Sequence, residues 1–307
     1  MTSSQSPATG LMRVVFLGNH TVGCRVLDVL GEMSVVAGVV AHPPDPEDGV
    51  RYLSVYDCAS QRGWPVVRAH GRAPELAHFV AKARADLLWI TDYRYLLPAE
   101  IVALSPLGAI NLHPSLLPRY RGRASINWAI LHGETELGLT AHFVDAGMDT
   151  GDIIEQVSYT LTPAQNAGDA LEILYPLYAK MTRMVLAKLQ KGPVERRPQD
   201  ESQASAFPRR RPEDGLIDWR QPAIRVANLI RAVAHPYPGA FTTLHGKRLT
   251  IWQARIAEEN GSRGLPGQVM EINHGEILVQ CGSGMIALTR VEAEETLEPL
   301  TAGCGLG

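Results

Sequence analysis

Through the first two-thirds of the chain, short runs of consecutive apolar residues alternate with segments whose apolar positions recur every three or four residues. RVVFLG (13–18), SVVAGVVAH (34–42), WPVVR (64–68), DLLWIT (86–91), AINLH (109–113) and LTAHFV (139–144) are of the first kind and predict strands. CRVLDVLGE (24–32), LSVYDCASQRG (53–63) and PELAHFVAKARA (74–85) are of the second kind and predict helices between them. Strands that show no apolar and polar alternation are buried on both faces, which is the signature of a parallel sheet covered by helices on each side. Residues 168–191 carry a long apolar stripe, including Leu171, Leu174, Leu177, Met181 and Leu186, and stop at Gly192-Pro193. This predicts a long helix closing the domain, with its methionines packed in the core.

The pattern then changes. Residues 193–214 are polar and rich in Pro and Arg, as a linker would be. A helical segment (222–234) follows. After it come the short runs AFTTLH, RLTIWQARI, GQVMEI, EILVQCG and MIALTRV, separated by turn signals such as His245-Gly246 and Gly282-Ser283-Gly284. The expected architecture is α/β: a Rossmann-like, mostly parallel sheet with helices on both faces, followed by a small C-terminal β-barrel of OB-like type. The expected boundaries are a disordered tail over 1–11, a catalytic domain over 12–192, a linker over 193–214 and the small β domain over 215–307.

Composition narrows the function classes. The chain is 45% hydrophobic and 20% charged with a net charge of −3, ordinary for a globular protein and without a nucleic-acid footprint. The four cysteines (Cys24, Cys58, Cys281 and Cys304) form no C-x-x-C pair, which argues against a disulfide framework or a zinc site and for reduced thiols in a cytoplasmic protein. Cys24 falls on the expected first helix and reads as buried. The small, polar N-terminus lacks a signal-peptide pattern, and no run of 18 apolar residues suggests a membrane span. After the first strand, LGNHTVG has neither G-x-G-x-x-G nor G-K-[ST], so a nicotinamide site or P-loop is not expected, although the following helix N-terminus could face an anion.

Chemistry concentrates in residues 109–156. Asn111 and His113 are two apart at the end of a predicted strand and therefore share a face. Asp149 lies in the Gly-rich loop Gly147-Met148-Asp149-Thr150-Gly151, able to fold a carboxylate back over the sheet. Any one of the three alone would read as structural; their combination with SLLPRYRG and DTGD does not. These residues resemble the folate-dependent formyltransferase family, whose Asn-x-His is matched by Asn111 and His113, SLLP by Ser115 to Pro118, and catalytic aspartate by Asp149. The resemblance spans roughly 12–290 and implies an N-formyltransferase using N10-formyltetrahydrofolate as co-substrate, with no metal.

The residue types suit that reaction. An amine attacks the formyl carbon and negative charge develops on its oxygen. Asn111 and a protonated His113 could donate to that oxygen, while His113 and Asp149 handle the amine's proton, with Asp149 orienting the ring and raising its pKa. By resemblance, the pterin lies against the segments 91–98 and 146–151, which makes Tyr93, Tyr95, Leu96, Leu97, Gly147 and Met148 the expected donor pocket. Tyr93 and Tyr95 could equally be packing at a strand end.

For the acceptor, YRGRASINWAILHGETELG, FPRRRPEDG and HPYPGAF most resemble the formyltransferase domains of the bifunctional UDP-4-amino-4-deoxy-L-arabinose enzymes of polymyxin resistance. This implies a nucleotide-linked aminosugar, a role in lipopolysaccharide modification and an acceptor pocket of Ser115, Arg119, Tyr120, Arg121, Arg123, Asn127 and Arg210. Two features agree: the loop 42–54 is acidic, and residues 207–307 carry equal numbers of basic and acidic side chains, whereas a tRNA-binding domain needs several cationic phosphate contacts. The methionyl-tRNA formyltransferases are the alternative within the family. A non-catalytic folate- or nucleotide-binding relative is the alternative from another class, and the intact Asn111, His113 and Asp149 weigh against it.

Overall fold

The computed structural model describes residues 10–43, 52–293 and 300–307. The expected tail over 1–11 and most of the acidic loop 42–54 therefore lie outside the described residues. Strands β1 (Arg13–Gly18), β2 (Val35–Ala41), β3 (Val66–Arg68), β4 (Leu87–Thr91), β5 (Ala109–His113), β7 (Glu136–Phe143) and β8 (Ile153–Thr160) form one sheet in the order β3-β2-β1-β4-β5-β7-β8. The two-residue strand β6 (Arg121–Gly122) lies outside it.

The pairings β2–β3, β1–β2, β1–β4 and β4–β5 are parallel. Helices α1 (His20–Met33), α2 (Val55–Gln61), α3 (Pro74–Ala83) and α4 (Ala99–Val102) alternate with these strands. Val15, Leu17, Val40, Leu88 and Ile90 share one buried core with Leu76 and Val80 of α3. The alternate residues Val14, Phe16, Val39, Leu87 and Trp89 are equally buried, and the Phe16 ring lies 3.5 Å from a Cβ built on Gly23 of α1. Both faces are thus covered, which explains the unbroken apolar runs. Cys24 is buried in α1, where burial pushes its thiol pKa up.

The order of strands reverses between β1 and β4, the place where open α/β sheets leave a crevice at their carboxyl ends. Gly18 closes that junction: a Cβ there would come within 2.6 Å of the Thr91 carbonyl, so no larger residue fits.

One pairing within this mostly parallel sheet is antiparallel. β7 runs antiparallel to β5, pairing Asn111 with His142 and His113 with Thr140. The chain therefore leaves β7 beside Ala109, whose carbonyl accepts from the Val144 amide at 2.8 Å, and must fold back to reach the far end of β5. The long helix α6 (Ala167–Lys191) forms as expected and accommodates Pro176.

The chain divides into two compact units. The first draws on residues up to Gly122, Gly138–Tyr159 and Glu172–Ala206, and the second on Arg123–Leu137, Thr160–Leu171 and Phe207–Gly307. Two segments expected in the first domain thus pack with the second. Helix α5 (Ser125–Leu131) shows why: its Asn127 side chain donates at 2.7 Å to the carbonyl of Ala232, which ends helix α7 (Ala223–Ala232). After the short strand β9 (Ala206–Phe207), the second unit is built on β10 (Ala240–Leu244), β11 (Lys247–Glu258), β12 (Val269–Asn273), β13 (Glu276–Gln280) and β14 (Met285–Ala293). These form an antiparallel five-stranded sheet in the order β10-β11-β14-β13-β12. Among the described residues, no helix is long and apolar enough to cross a membrane.

Candidate active site

Asn111 and His113 stand on one face of β5, and His142 stands opposite Asn111 on β7. The loop 144–152 lays Asp149 over all three. Asn111 Nδ2 is 3.2 Å from Asp149 Oδ1 and 3.2 Å from His142 Nε2. His113 Nδ1 lies 3.5 Å from Asp149 Oδ2, and His142 Nε2 lies 3.5 Å from Asp149 Oδ1. The Gly122 amide donates to Asp149 Oδ2 at 2.8 Å.

The backbone assigns both ring tautomers. His113 Nε2 is 2.8 Å from the Tyr120 carbonyl, and since a carbonyl only accepts, Nε2 carries a hydrogen. His142 Nδ1 is likewise 2.7 Å from the Phe143 carbonyl and carries a hydrogen. In the neutral rings, His113 Nδ1 and His142 Nε2 are then lone pairs facing the carboxylate and the Asn111 amide. Burial of Asp149 opposes its ionisation. When the rings are protonated, attraction to His113 and hydrogen bonding and charge from His142, together with the Gly122 amide, outweigh that burial and hold the carboxyl well below the usual carboxylate range.

Asp149 adopts a left-handed backbone with φ of +57°. That region is unfavourable for a non-glycine residue, so the surroundings must hold it. Gln199 does so by donating Nε2 to the carbonyls of Asp149 and Gly151, each at 2.8 Å.

The residues expected to line pockets separate into two kinds. Tyr93 and Leu97 belong to the core packed on α3, and the Tyr93 hydroxyl donates to the Ala69 carbonyl at 2.9 Å. Both side chains are buried. Tyr95 is half-buried in ring contact with His42, His70 and Tyr93. Leu96 and Met148 are 61% and 43% exposed, enough to offer apolar surface to a ligand. Gly147 packs tightly, since a Cβ there would come within 2.0 Å of Thr150 Oγ1.

Among the expected acceptor residues, Ser115 turns its hydroxyl inward to the Arg119 carbonyl at 2.7 Å. Arg121 is buried, with its guanidinium engaged by Gln199 Oε1 at 2.7 Å and Glu201 Oε2 at 2.9 Å. Tyr120 is buried and contributes its carbonyl, as described. Arg119 is half-buried, with its guanidinium 5.6 Å from the Tyr120 ring centroid. Arg123, Asn127 and Arg210 belong to the second unit, where Arg210 lies over the Trp128 ring at 5.0 Å and donates to the Asp214 carbonyl at 2.7 Å.

Two side chains at the site escaped sequence reading, His142 and Gln199. So did a third contact at the carboxyl ends of β1 and β4, where His20 pairs with Asp92 and stacks on Tyr52 at 3.8 Å.

Residues 12–173 match the formyl transferase domain family, and residues 210–300 match the formyl transferase C-terminal domain family. The chain belongs to the folate-dependent formyltransferases. It is 35% identical over 304 residues to a methionyl-tRNA formyltransferase of Geobacter metallireducens, covering 96% of each chain. The N-formyltransferase of Helicobacter canadensis, solved with folinic acid and dTDP-3-aminofucose, shares the fold at a TM-score of 0.67 and 19% identity, with 91% of this chain and 99% of that one covered. A variant of HypX from Aquifex aeolicus shares it at a TM-score of 0.62 and 20% identity; 93% of this chain covers 45% of that one. This folate-dependent formyltransferase is accordingly an enzyme of formyl-group transfer, and its family draws the formyl group from N10-formyltetrahydrofolate.

Proposed function

We propose that the enzyme transfers the formyl group of N10-formyltetrahydrofolate to the amine of a nucleotide-linked aminosugar, with Asn111, His113 and Asp149 as the catalytic residues. The observation that carries the reaction is the convergence of Asn111 and His113 on the Asp149 carboxylate, at 3.2 Å and 3.5 Å. The co-substrate supplies an electrophilic formyl carbon; the chain supplies charge stabilisation and a proton path. With Nε2–H fixed on the Tyr120 carbonyl, His113 offers Nδ1 as the base for the amine's proton. The imidazolium formed faces the ionised Asp149, which stabilises it, and it returns the proton to N10 of the folate as the bond from the formyl carbon to N10 breaks and tetrahydrofolate leaves. Asn111 is the neutral donor of the cluster. It serves the developing oxyanion when one amide hydrogen exchanges Asp149 or His142 for that oxygen.

The aminosugar acceptor is supported by the arginine-bearing segments 119–128 and 207–215 and by the even charge balance of residues 207–307. A diphosphate needs few cations, and Arg119 is the half-buried candidate near Tyr120. A second reading, Met-tRNA as acceptor, is favoured by the 35% identical relative. Incubation with N10-formyltetrahydrofolate and a panel of UDP-, dTDP- and GDP-linked aminosugars, with Met-tRNA alongside, separates the two. Gain of one formyl mass on a sugar supports the first reading; formylation of Met-tRNA alone overturns it. By its chemistry, a formylated nucleotide-sugar would belong to cytoplasmic cell-surface glycan assembly of the lipopolysaccharide kind.

A further inference from the structure

The stretch after α6 has the composition of a linker, yet it holds both catalytic loops. Gln199 has a side-chain amide with two hydrogens and one oxygen, and all three are engaged. Nε2 donates to the carbonyls of Asp149 and Gly151 at 2.8 Å each, while Oε1 accepts from Arg121 Nη2 at 2.7 Å and Nε at 3.1 Å. The guanidinium fixes the amide's sense: reversed, the Gln199 oxygen would face two carbonyl oxygens and its NH2 a cation. Glu201 anchors the other side of Arg121, accepting from Nη1 at 2.9 Å.

Asp149 and Gly151 flank the turn that carries the carboxylate, and Asp149 sits in a left-handed backbone that is not self-supporting. Its side chain is held by Gly122 and Asn111, its main chain by Gln199. Six residues further on, Ser205 accepts from the Tyr120 amide through Oγ at 2.9 Å and from the Arg121 amide through its carbonyl at 2.8 Å. That backbone presents the Tyr120 carbonyl to His113.

We propose that Gln199 is a positioning residue for formyl transfer: clamped by Arg121, it sets the height and orientation of the Asp149 carboxylate over Asn111 and His113. The inference rests on the catalytic role assigned to Asp149. A displacement of about 1 Å in a catalytic group costs on the order of 100-fold in rate, and a released left-handed turn permits such a displacement.

Gln199→Glu separates positioning from stability. Its carboxylate still accepts from Arg121, but it has no donor for the Asp149 and Gly151 carbonyls and repels them. Gln199→Met removes both ends at similar size. The test follows turnover of N10-formyltetrahydrofolate with the panel acceptor the wild type uses, alongside thermal melting, with Asp149→Asn as control. The expected result is a fall in kcat of about 100-fold for Gln199→Glu, with KM for the folate within about twofold and cooperative melting at a modestly lower temperature that leaves the protein folded under assay conditions. Gln199→Met should lose kcat similarly and melt lower. Wild-type kcat in Gln199→Glu while Asp149→Asn is inactive overturns the positioning role. An active Asp149→Asn instead overturns the catalytic assignment beneath it.

Discussion

Asn111 Nδ2 lies 3.2 Å from Asp149 Oδ1, and the same nitrogen lies 3.2 Å from Nε2 of its cross-strand neighbour His142. The amide can take only this sense, because its oxygen would otherwise face a carboxylate and a ring lone pair. The carboxylate thus fixes the amide, the backbone fixes both rings, and the donor is oriented before substrate arrives. Such preorganisation is what lets a few hydrogen bonds act on a transition state.

Replacing the carboxylate should therefore undo more than one role. In Asp149→Asn, His113 loses its ionised partner and Asn111 its charged acceptor. We expect kcat to fall by about 1,000-fold or more, within the range of lost acid–base and oxyanion contributions. His113→Ala should fall similarly. Steady-state formyl transfer with circular dichroism checks this, and activity within tenfold of wild type in either variant would contradict the mechanism.

His142 is fully enclosed and acts through Asn111. His142→Leu deletes the acceptor and frees the amide to rotate, whereas His142→Gln returns an oxygen at a similar distance. A neutral hydrogen bond of this kind is worth about 1 kcal/mol, so the leucine variant should lose about fivefold in kcat, with partial recovery in the glutamine variant. Equal rates for wild type and His142→Leu would remove His142 from the mechanism.

Much of this architecture was legible in the chain. β1, β2 and β4 announce themselves because burial on both faces leaves only apolar positions, and α1, α3 and α6 because one stripe must be buried. The spacing of Asn111 and His113 was enough to place both on one face. The direction of β7 was not legible, since LTAHFV reads the same in a parallel or antiparallel neighbour; His142 consequently looked like an ordinary polar residue in a core strand. β8 and α5 carry weak, short patterns and went unread. Arg121 read as a phosphate ligand because a sequence shows a charge without its partner, and here the partners, Gln199 and Glu201, lie about eighty residues away. Tyr93 shows the same limit, its hydroxyl finding the Ala69 carbonyl inside the fold.

The acid dependence of stability follows from the sign of the Asp149 shift. Its carboxyl is held below the ordinary value of 3.8 in the folded protein, so the stabilisation is complete above that value and is lost as pH falls toward the folded one. The difference in unfolding free energy between wild type and Asp149→Asn should be level around pH 5 and shrink as pH drops through about 4. Urea unfolding of both proteins from pH 5 to 3 measures it. A difference that stays flat across that window would mean the ionised carboxylate gains nothing from His113, His142 and Gly122.

Arg121 distinguishes a tether from a phosphate clamp. Its partner Glu201 is 68% exposed on the side chain, so solvent screens the ion pair, and Glu201→Ala should scarcely move the melting temperature. Arg121→Met is different: it strips the guanidinium from the half-buried Gln199 oxygen, costing on the order of 1 kcal/mol, and loosens the turn carrying Asp149. A tether predicts lower melting and lower kcat, with KM for the nucleotide-linked acceptor close to wild type. A diphosphate clamp predicts the reverse, a KM raised tenfold or more at unchanged stability. Parallel melting and kinetics on Arg121→Met and Arg119→Met decide between them. The acceptor KM should rise in Arg119→Met, because Arg119 is half-buried whereas Arg121 is buried and engaged within the fold.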